Sequence, residues 1–255
     1  MVFLHTATVN PSNRVSDLAV NSADDRLKQY RDSLEFCINN IPSVKMVFCD
    51  NSGFDTSEMN DLVTLAKEKG CMIELLSFKG NTEETVRHGK GYGESEIVSY
   101  ALSNSRLIRE DNDQYYIKMT GRLFVDNIAS IITKIQKSII KSRIDQASAR
   151  DTIFINATDD GKGAIVADTR IYSMSIDTYK KYWANAGEQV DDSKGDYLER
   201  VFINTIRQNG LKSRNLPEFP RITGVSGSNG YQYSYNEFKC RIKDILSVFN
   251  YYGIR

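Results

Sequence analysis

Apolar positions fall along the first half of the chain in two alternating rhythms. Residues 2–9 are β-branched and apolar and predict a first strand, which ends in the polar corner Asn10-Pro11-Ser12-Asn13-Arg14. Ser22, Asp24 and Asp25 then open a helix in capping-box style, and Leu27, Tyr30, Leu34, Cys37 and Ile38 recur at helical spacing. Residues 44–49 form a continuous apolar run, as a strand covered on both faces requires, and end in the turn Asp50-Asn51-Ser52-Gly53. A second helix runs from about Ser57 with Leu62, Val63 and Ala66 inward and Gly70 as its stop, and residues 72–78 are a third strand. The stretch His88-Gly89-Lys90-Gly91-Tyr92-Gly93 reads as a glycine-rich basic loop, followed by a helix with Ile97, Val98, Ala101, Leu102 and Ile108 on one face. Residues 115–119 predict a fourth strand, and residues 127–141 a helix carrying Ile128, Ile131, Ile132, Ile135 and Ile139.

Strand and helix alternating in this way predict an α/β fold, a mostly parallel sheet with helices on both faces. Ligands of such sheets sit beyond the carboxyl ends of the strands. The corners at 10–14, 50–53 and 118–122 are therefore the ones to watch.

The rhythm changes in the second half. Residues 152–157 and 164–175 predict a hairpin around Asp159-Asp160-Gly161-Lys162-Gly163. Asp168-Thr169-Arg170 interrupts its second, apolar strand, where a charged pair is costly unless it is paired or used. A polar run from Asp191 to Asp196 precedes a helix over 197–208. The loop 224–230 has the composition of a lid. A last helix over about 236–250 interleaves Lys239, Arg241 and Lys243 with Phe238, Ile242, Ile245 and Leu246, a pattern compatible with anionic lipid and with an ordinary solvated face. Neither an internal repeat nor a low-complexity linker interrupts the chain, so residues 1–255 read as one domain.

Charge and cysteine usage narrow the classes. Lys plus Arg and Asp plus Glu both number 33, and a net charge of zero argues against a nucleic-acid partner while leaving room for local basic patches. Cys37, Cys49, Cys71 and Cys240 form no C-x-x-C pair and read as reduced core thiols, and with only His5 and His88 beside them no zinc spacing exists. The first ten residues turn polar too early for a signal peptide, and no apolar run reaches membrane-spanning length. A cytoplasmic protein is expected, with docking at the inner face of a membrane compatible.

Neither G-x-x-x-x-G-K-[ST] nor a G-x-G-x-x-G after the first strand is present, nor a G-x-S-x-G elbow or H-E-x-x-H. What remains is a glycine-bearing basic stretch and a second cationic corner, Lys118-Met119-Thr120-Gly121-Arg122, which suggest a phosphorylated ligand.

The order D-N-S-G, G-K-G-Y-G-E-x-E-I, I-K-M-T-G-R, D-T-R-I-Y and D-Y-L-E-R-V-F resembles nucleotide-sugar glycosyltransferases of the GT-A fold, and more narrowly those of bacterial capsule and lipopolysaccharide synthesis. The resemblance implies transfer of a hexosyl group from a UDP- or GDP-type donor to a glycan or lipid-diphosphate-linked acceptor. It implies a nucleotide-sugar half, 1–142, and an acceptor and catalytic half, 143–255, and is compatible with a homodimer. Thr6, Asn10, Arg14, Asp50, Asn51 and Ser52 would hold base and ribose. Lys90, Gly91, Lys118, Thr120, Gly121 and Arg122 would line the diphosphate.

The fourth corner lacks the Asp-x-Asp that binds a metal in such enzymes. Either Lys118 and Arg122 neutralise the diphosphate directly, or Mn2+ or Mg2+ is held elsewhere, for example by Asp168. The base that takes the acceptor's proton would be Glu199, with Asp168, Asp191 and Asp192 as further candidates, and a retaining enzyme would need none. Arg170, Asp191 and Tyr231 would face the acceptor. Two other readings stand beside this one. One is a degenerate, non-catalytic binding subunit. The other is a sugar-1-phosphate nucleotidyltransferase, which should carry a glycine-rich loop after the first strand.

Overall fold

A computed structural model describes residues 1–15, 22–112, 114–144, 152–161, 163–226, 230–249 and 254. In chain order the elements are β1 (Val2–Ala7), α1 (Ala23–Asn40), β2 (Lys45–Asp50), α2 (Asn60–Glu68), β3 (Met72–Ser77), α3 (Thr82–His88), α4 (Lys90–Asn104) and α5 (Arg106–Arg109). There follow β4 (Tyr115–Thr120), β5 (Leu123–Val125), α6 (Ile128–Ile144), β6 (Ile153–Asp159), β7 (Ile165–Ser175) and α7 (Ile176–Tyr182). The chain closes with α8 (Leu198–Gln208), β8 (Ser213–Arg214), β9 (Ile222–Val225), β10 (Gln232–Tyr233) and α9 (Glu237–Val248).

Seven strands form one sheet in the order β3-β2-β1-β4-β7-β6-β8. The β1–β2, β2–β3, β1–β4 and β6–β8 pairs are parallel, while β7 runs against both β4 and β6. The α/β, mostly parallel architecture expected from the alternation is the one observed, and the hairpin expected in the second half is β6–β7.

Strand residues alternate between two apolar layers, because successive side chains point to opposite faces. Phe3, Met46, Phe48, Ile117 and Met119 pack on one side with Leu34 and Cys37 of α1 and Ile131 and Ile135 of α6. Leu4, Val47, Cys49 and Tyr116 pack on the other with Ile97 and Ala101 of α4, Tyr179 of α7 and Phe202 of α8. The four cysteines are buried and free, as core thiols. At the start of α1, Ser22 accepts from the Asp25 amide, as its capping role requires.

Two local expectations are corrected. Val63 is partly exposed rather than inward, since Leu62 and Ala66 alone carry the buried line of α2. The stretch 88–93 is not a loop: α3 ends at His88, Gly89 alone breaks the chain, and α4 begins at Lys90 with Gly91 and Gly93 inside it. Gly89 turns there at φ +112°, with the Asp192 carboxylate where a Cβ would lie. In α9 the apolar side chains Phe238, Ile242 and Ile245 face outward. The proposed lid, 224–230, lies partly outside the described residues, which omit 227–229.

Candidate active site

A cavity of roughly 660 Å³ opens at the carboxyl edge of β1 and β4 and reaches over β7 to α8. Because the sheet has helices on both faces, two sets of side chains converge on it from opposite sides.

From the α1 side come two arginines and a tyrosine. The Arg26 Nε donates to Thr8 O at 2.6 Å, and its Nη2 donates to the Tyr30 hydroxyl at 3.3 Å. The same hydroxyl accepts the Thr8 amide at 3.0 Å. Arg26 and Arg122 both lie against the Tyr30 ring, with Cζ 6.0 and 5.9 Å from its centroid. Arg122 donates to the Gln29 side chain at 3.3 Å, but its buried Nε has no hydrogen-bond partner. Burial lowers the Arg122 pKa, Tyr30 opposes that shift and neighbouring Arg26 adds to it. None of the groups acting on this guanidinium is a carboxylate. A buried cation in that state attracts an anion.

From the α4 and α8 side come carboxylates. Lys118, two residues from Tyr116 on β4, points into the second layer and is fully buried. Its ammonium donates to Glu94, to Thr169 O at 2.7 Å and to the Thr120 hydroxyl at 3.1 Å. The Thr169 hydroxyl in turn donates to Glu199 at 3.0 Å. Burial pushes the Glu199 carboxyl up, its own amide opposes that, Glu94 adds to it, and Thr169 and Lys118 pull the other way.

Residues 168–170 reach the cavity because β7 bulges. Ile155 pairs with Tyr172 but Ala157 pairs with Ala167, so two steps along β6 match five along β7. Bulges re-aim side chains in this way. Asp168 then accepts two bonds from the Arg170 guanidinium, at 2.8 and 2.7 Å, and that guanidinium lies 5.0 Å from the Tyr233 ring centroid.

The chain superposes on the mannosyltransferase Ktr4p from S. cerevisiae with a TM-score of 0.50 at 9% identity, over 96% of this chain and 81% of that one. This is a glycosyltransferase fold. Mouse xyloside xylosyltransferase 1 in its apo form is also similar, with a TM-score of 0.46 at 9% identity over 84% of each chain. So is a protein of Desulfovibrio desulfuricans G20 assigned as a nucleotide-diphospho-sugar transferase, with a TM-score of 0.49 at 10% identity over 84% of this chain and 78% of that one. No protein-family model and no curated protein sequence matches the chain.

Set on this glycosyltransferase fold, the residues singled out from the sequence divide into two groups. Thr6, Asn51, Lys90, Thr120, Arg122, Asp168, Arg170 and Glu199 line the cavity. The remainder do not, and each has a local reason. Asp50 is a buried staple: its oxygens accept the Val9 and Ser52 amides and the Ser52 hydroxyl, each at 2.7 Å, and the Phe54 amide at 3.3 Å. It is fully buried and does not line the cavity, and Ser52 serves the same corner, accepting the Asn10 amide at 3.0 Å. Arg14 is exposed and forked onto Glu83. Gly91 packs against Leu198, and Gly121 donates its amide to Thr6 O at 3.1 Å beneath the cavity wall.

Lys118 neutralises Glu94 rather than facing a diphosphate. Asp192 is exposed and accepts the Lys90 amide at 3.2 Å at the start of α4. Asp191 caps the short helical turn after it, where Lys194 and Ser193 hold its pKa down at about 2. Tyr231 is exposed, and Tyr233, whose ring it meets edge-on at 5.7 Å, lines the cavity instead.

In the sequence Arg26 is not singled out, Tyr30 reads only as a core position of its helix, and Glu94 appears only within the motif G-K-G-Y-G-E. Arg26 and Tyr30 share one face of α1, four residues apart, and an arginine one position before the apolar Leu27 was the available signal. Among the described residues no three His, Cys, Asp or Glu side chains gather, Asp168 is paired with Arg170, and the fourth corner presents Arg122.

Proposed function

We propose that the cavity binds a nucleotide sugar of UDP or GDP type and transfers its hexosyl group to a hydroxyl of a glycan or lipid-diphosphate-linked acceptor, in surface-polysaccharide synthesis. The diphosphate lies against Arg122 and Arg26. The observation that carries this reading is one cavity with buried guanidiniums on one side and a carboxylate of raised pKa on the other. Planar guanidiniums suit phosphate oxygens and replace the charge that a metal would supply.

In the reaction, the acceptor oxygen forms a bond to the anomeric carbon as the bond from that carbon to the phosphate oxygen breaks. The nucleoside diphosphate leaves with the electron pair, stabilised by the two arginines. Glu199 takes the acceptor's proton and later releases it to water. Lys118 pairs with Glu94 and holds the Thr169 carbonyl, so the Thr169 hydroxyl orients Glu199. Donor contacts come chiefly from residues 1–142. Asp168, Arg170 and Glu199 come from 143–255, which we assign to the acceptor.

The test is binding of UDP and GDP by thermal shift and calorimetry, with and without EDTA. At a hundredfold excess over Kd, a nucleotide that binds only the folded state stabilises it by about 2.7 kcal/mol. One of the two should raise Tm regardless of EDTA, and Arg122→Ala should weaken binding at least about tenfold, the equivalent of about 1.4 kcal/mol. No shift with any nucleoside diphosphate at millimolar concentration would sink the proposal.

A further inference from the structure

Helix α9 inverts the packing rule that α1, α2 and α8 follow. A surface helix turns its apolar stripe to the core. Here the buried line holds Cys240 and Ser247, one turn pair apart, while the opposite line holds Phe238, Ile242, Ile245 and Phe249. These four are 73, 45, 63 and 75% exposed. Spaced four, three and four residues apart, they make one continuous stripe down the outside of the helix. Val248, on its edge, widens it.

Charge around the stripe is arranged with equal regularity. Arg221, just before β9, donates to Asp244 at 3.0 and 2.7 Å and to Glu237 at 3.3 Å. Both carboxylates of α9 are thereby drawn to the edge that meets Arg221. Lys239 and Arg241 are exposed on the two flanks of the stripe, and Lys243 lies 3.9 Å from the centre of the Phe219 ring. Arg221 thus meets Asp244, Glu237 and, at 3.9 Å, Glu218, and Arg241 shares Glu237 at 3.1 Å, while Lys239 and Lys243 add two more cations on the helix.

We propose that α9 docks on an anionic lipid bilayer, its phenylalanines and isoleucines entering the headgroup region and Lys239 and Arg241 meeting lipid phosphates. The stripe carries only apolar side chains, with Lys239 and Arg241 as exposed cations on its flanks. A bilayer requires only apolar depth flanked by cations, and both are present. The helix is too short and too charged to cross a membrane. Since α9 follows β10 directly, and Tyr233 of β10 lines the cavity, docking would hold the cavity beside the bilayer surface. The inference stands on α9 alone and does not depend on the reading of the cavity.

The experiment is co-sedimentation of the full chain with vesicles of phosphatidylcholine containing about 30% phosphatidylglycerol, an anionic surface of the kind that attracts basic segments. Wild type should partition to these vesicles, at least about tenfold better than to pure phosphatidylcholine, and less at 0.5 M salt, where the Debye length falls to roughly 4 Å. The double variant Phe238→Ser, Ile245→Ser should lose at least about tenfold in partitioning with an unchanged Tm, since apolar burial supplies the insertion. Lys239→Glu, Arg241→Glu, which leaves the stripe intact, should lose the preference for anionic vesicles. The proposal is overturned if wild type ignores anionic vesicles or if the serine variant binds them equally. It is also overturned if the serine substitutions split a dimer of a protein that never sediments with vesicles, which would assign the stripe to a second copy.

Discussion

Burial raises the Glu199 pKa, and that shift has a sign that can be read in stability as well as in rate. A carboxyl whose folded pKa lies above its unfolded value favours the folded state while protonated. That contribution is fully present below the unfolded pKa and is lost as pH rises through the folded one. Glu199→Gln fixes a neutral side chain that still accepts from Thr169. Its Tm should therefore exceed that of wild type at pH 7, by a few degrees if the difference is about 1 kcal/mol, and the gap should close below about pH 4. Transfer should fall by about a hundredfold or more at every pH, as loss of a general base does. A purely structural Glu199 would show the stability change without the loss of rate.

The same residue scale shows what sequence could display. Asp168 stood out because a charge inside an apolar strand is costly, Arg122 as part of a cationic corner and Glu199 through the resemblance, and all three reach the cavity. Asp50 and Lys118 stood out as polar residues at strand-end corners. The hydrogen bonds that occupy them come from residues distant in sequence or from amides whose direction no sequence reveals.

At the scale of elements, the glycines before α4 looked like a phosphate loop and are packing positions. A Cβ on Gly91 would lie 2.8 Å from the Cβ of Leu198, the first residue of α8. Elsewhere in a helix, Gly→Ala stabilises by about 0.5–1 kcal/mol. Gly91→Ala should do the opposite, costing about 1–3 kcal/mol as the two helices are forced apart. Urea unfolding should show a lower midpoint at unchanged slope. Because Glu94 sits one turn along α4 and Glu199 one residue along α8, the variant should also transfer more slowly. A gain in stability would mean that α4 and α8 do not touch as described. The composition of residues 88–93 is the same for a loop and for a tight helix crossing, which is why periodicity could not tell them apart. The β7 bulge was hidden likewise, although Asp168-Thr169-Arg170 marked its position.

For the whole molecule, the alternation of strands and helices made the seven-stranded sheet legible, but a second sheet was not. It runs β10-β9-β5, with strands of two to four residues, too short to carry a period. Its register joins Leu123 to Gly224 and Val125 to Ile222, residues about a hundred positions apart. The cavity is lined from both sheets, by Thr6, Arg26 and Arg122 on one side and Val225, Ser226 and Tyr233 on the other. Few hydrogen bonds hold β9 to β10, where only two residue pairs register, whereas five register between β1 and β2. Short ladders open at lower free energy than long ones in a buried core. Amide hydrogen exchange should therefore be fastest in β9, β10 and α9 and slowest in β1, β2 and β4. A bound nucleoside diphosphate that touches both sheets should slow exchange in β9 and β10 by at least about tenfold, because opening them then also costs ligand contacts. Protection confined to β1, α1 and β4 would place the ligand on the large sheet alone and remove Tyr233 from the site.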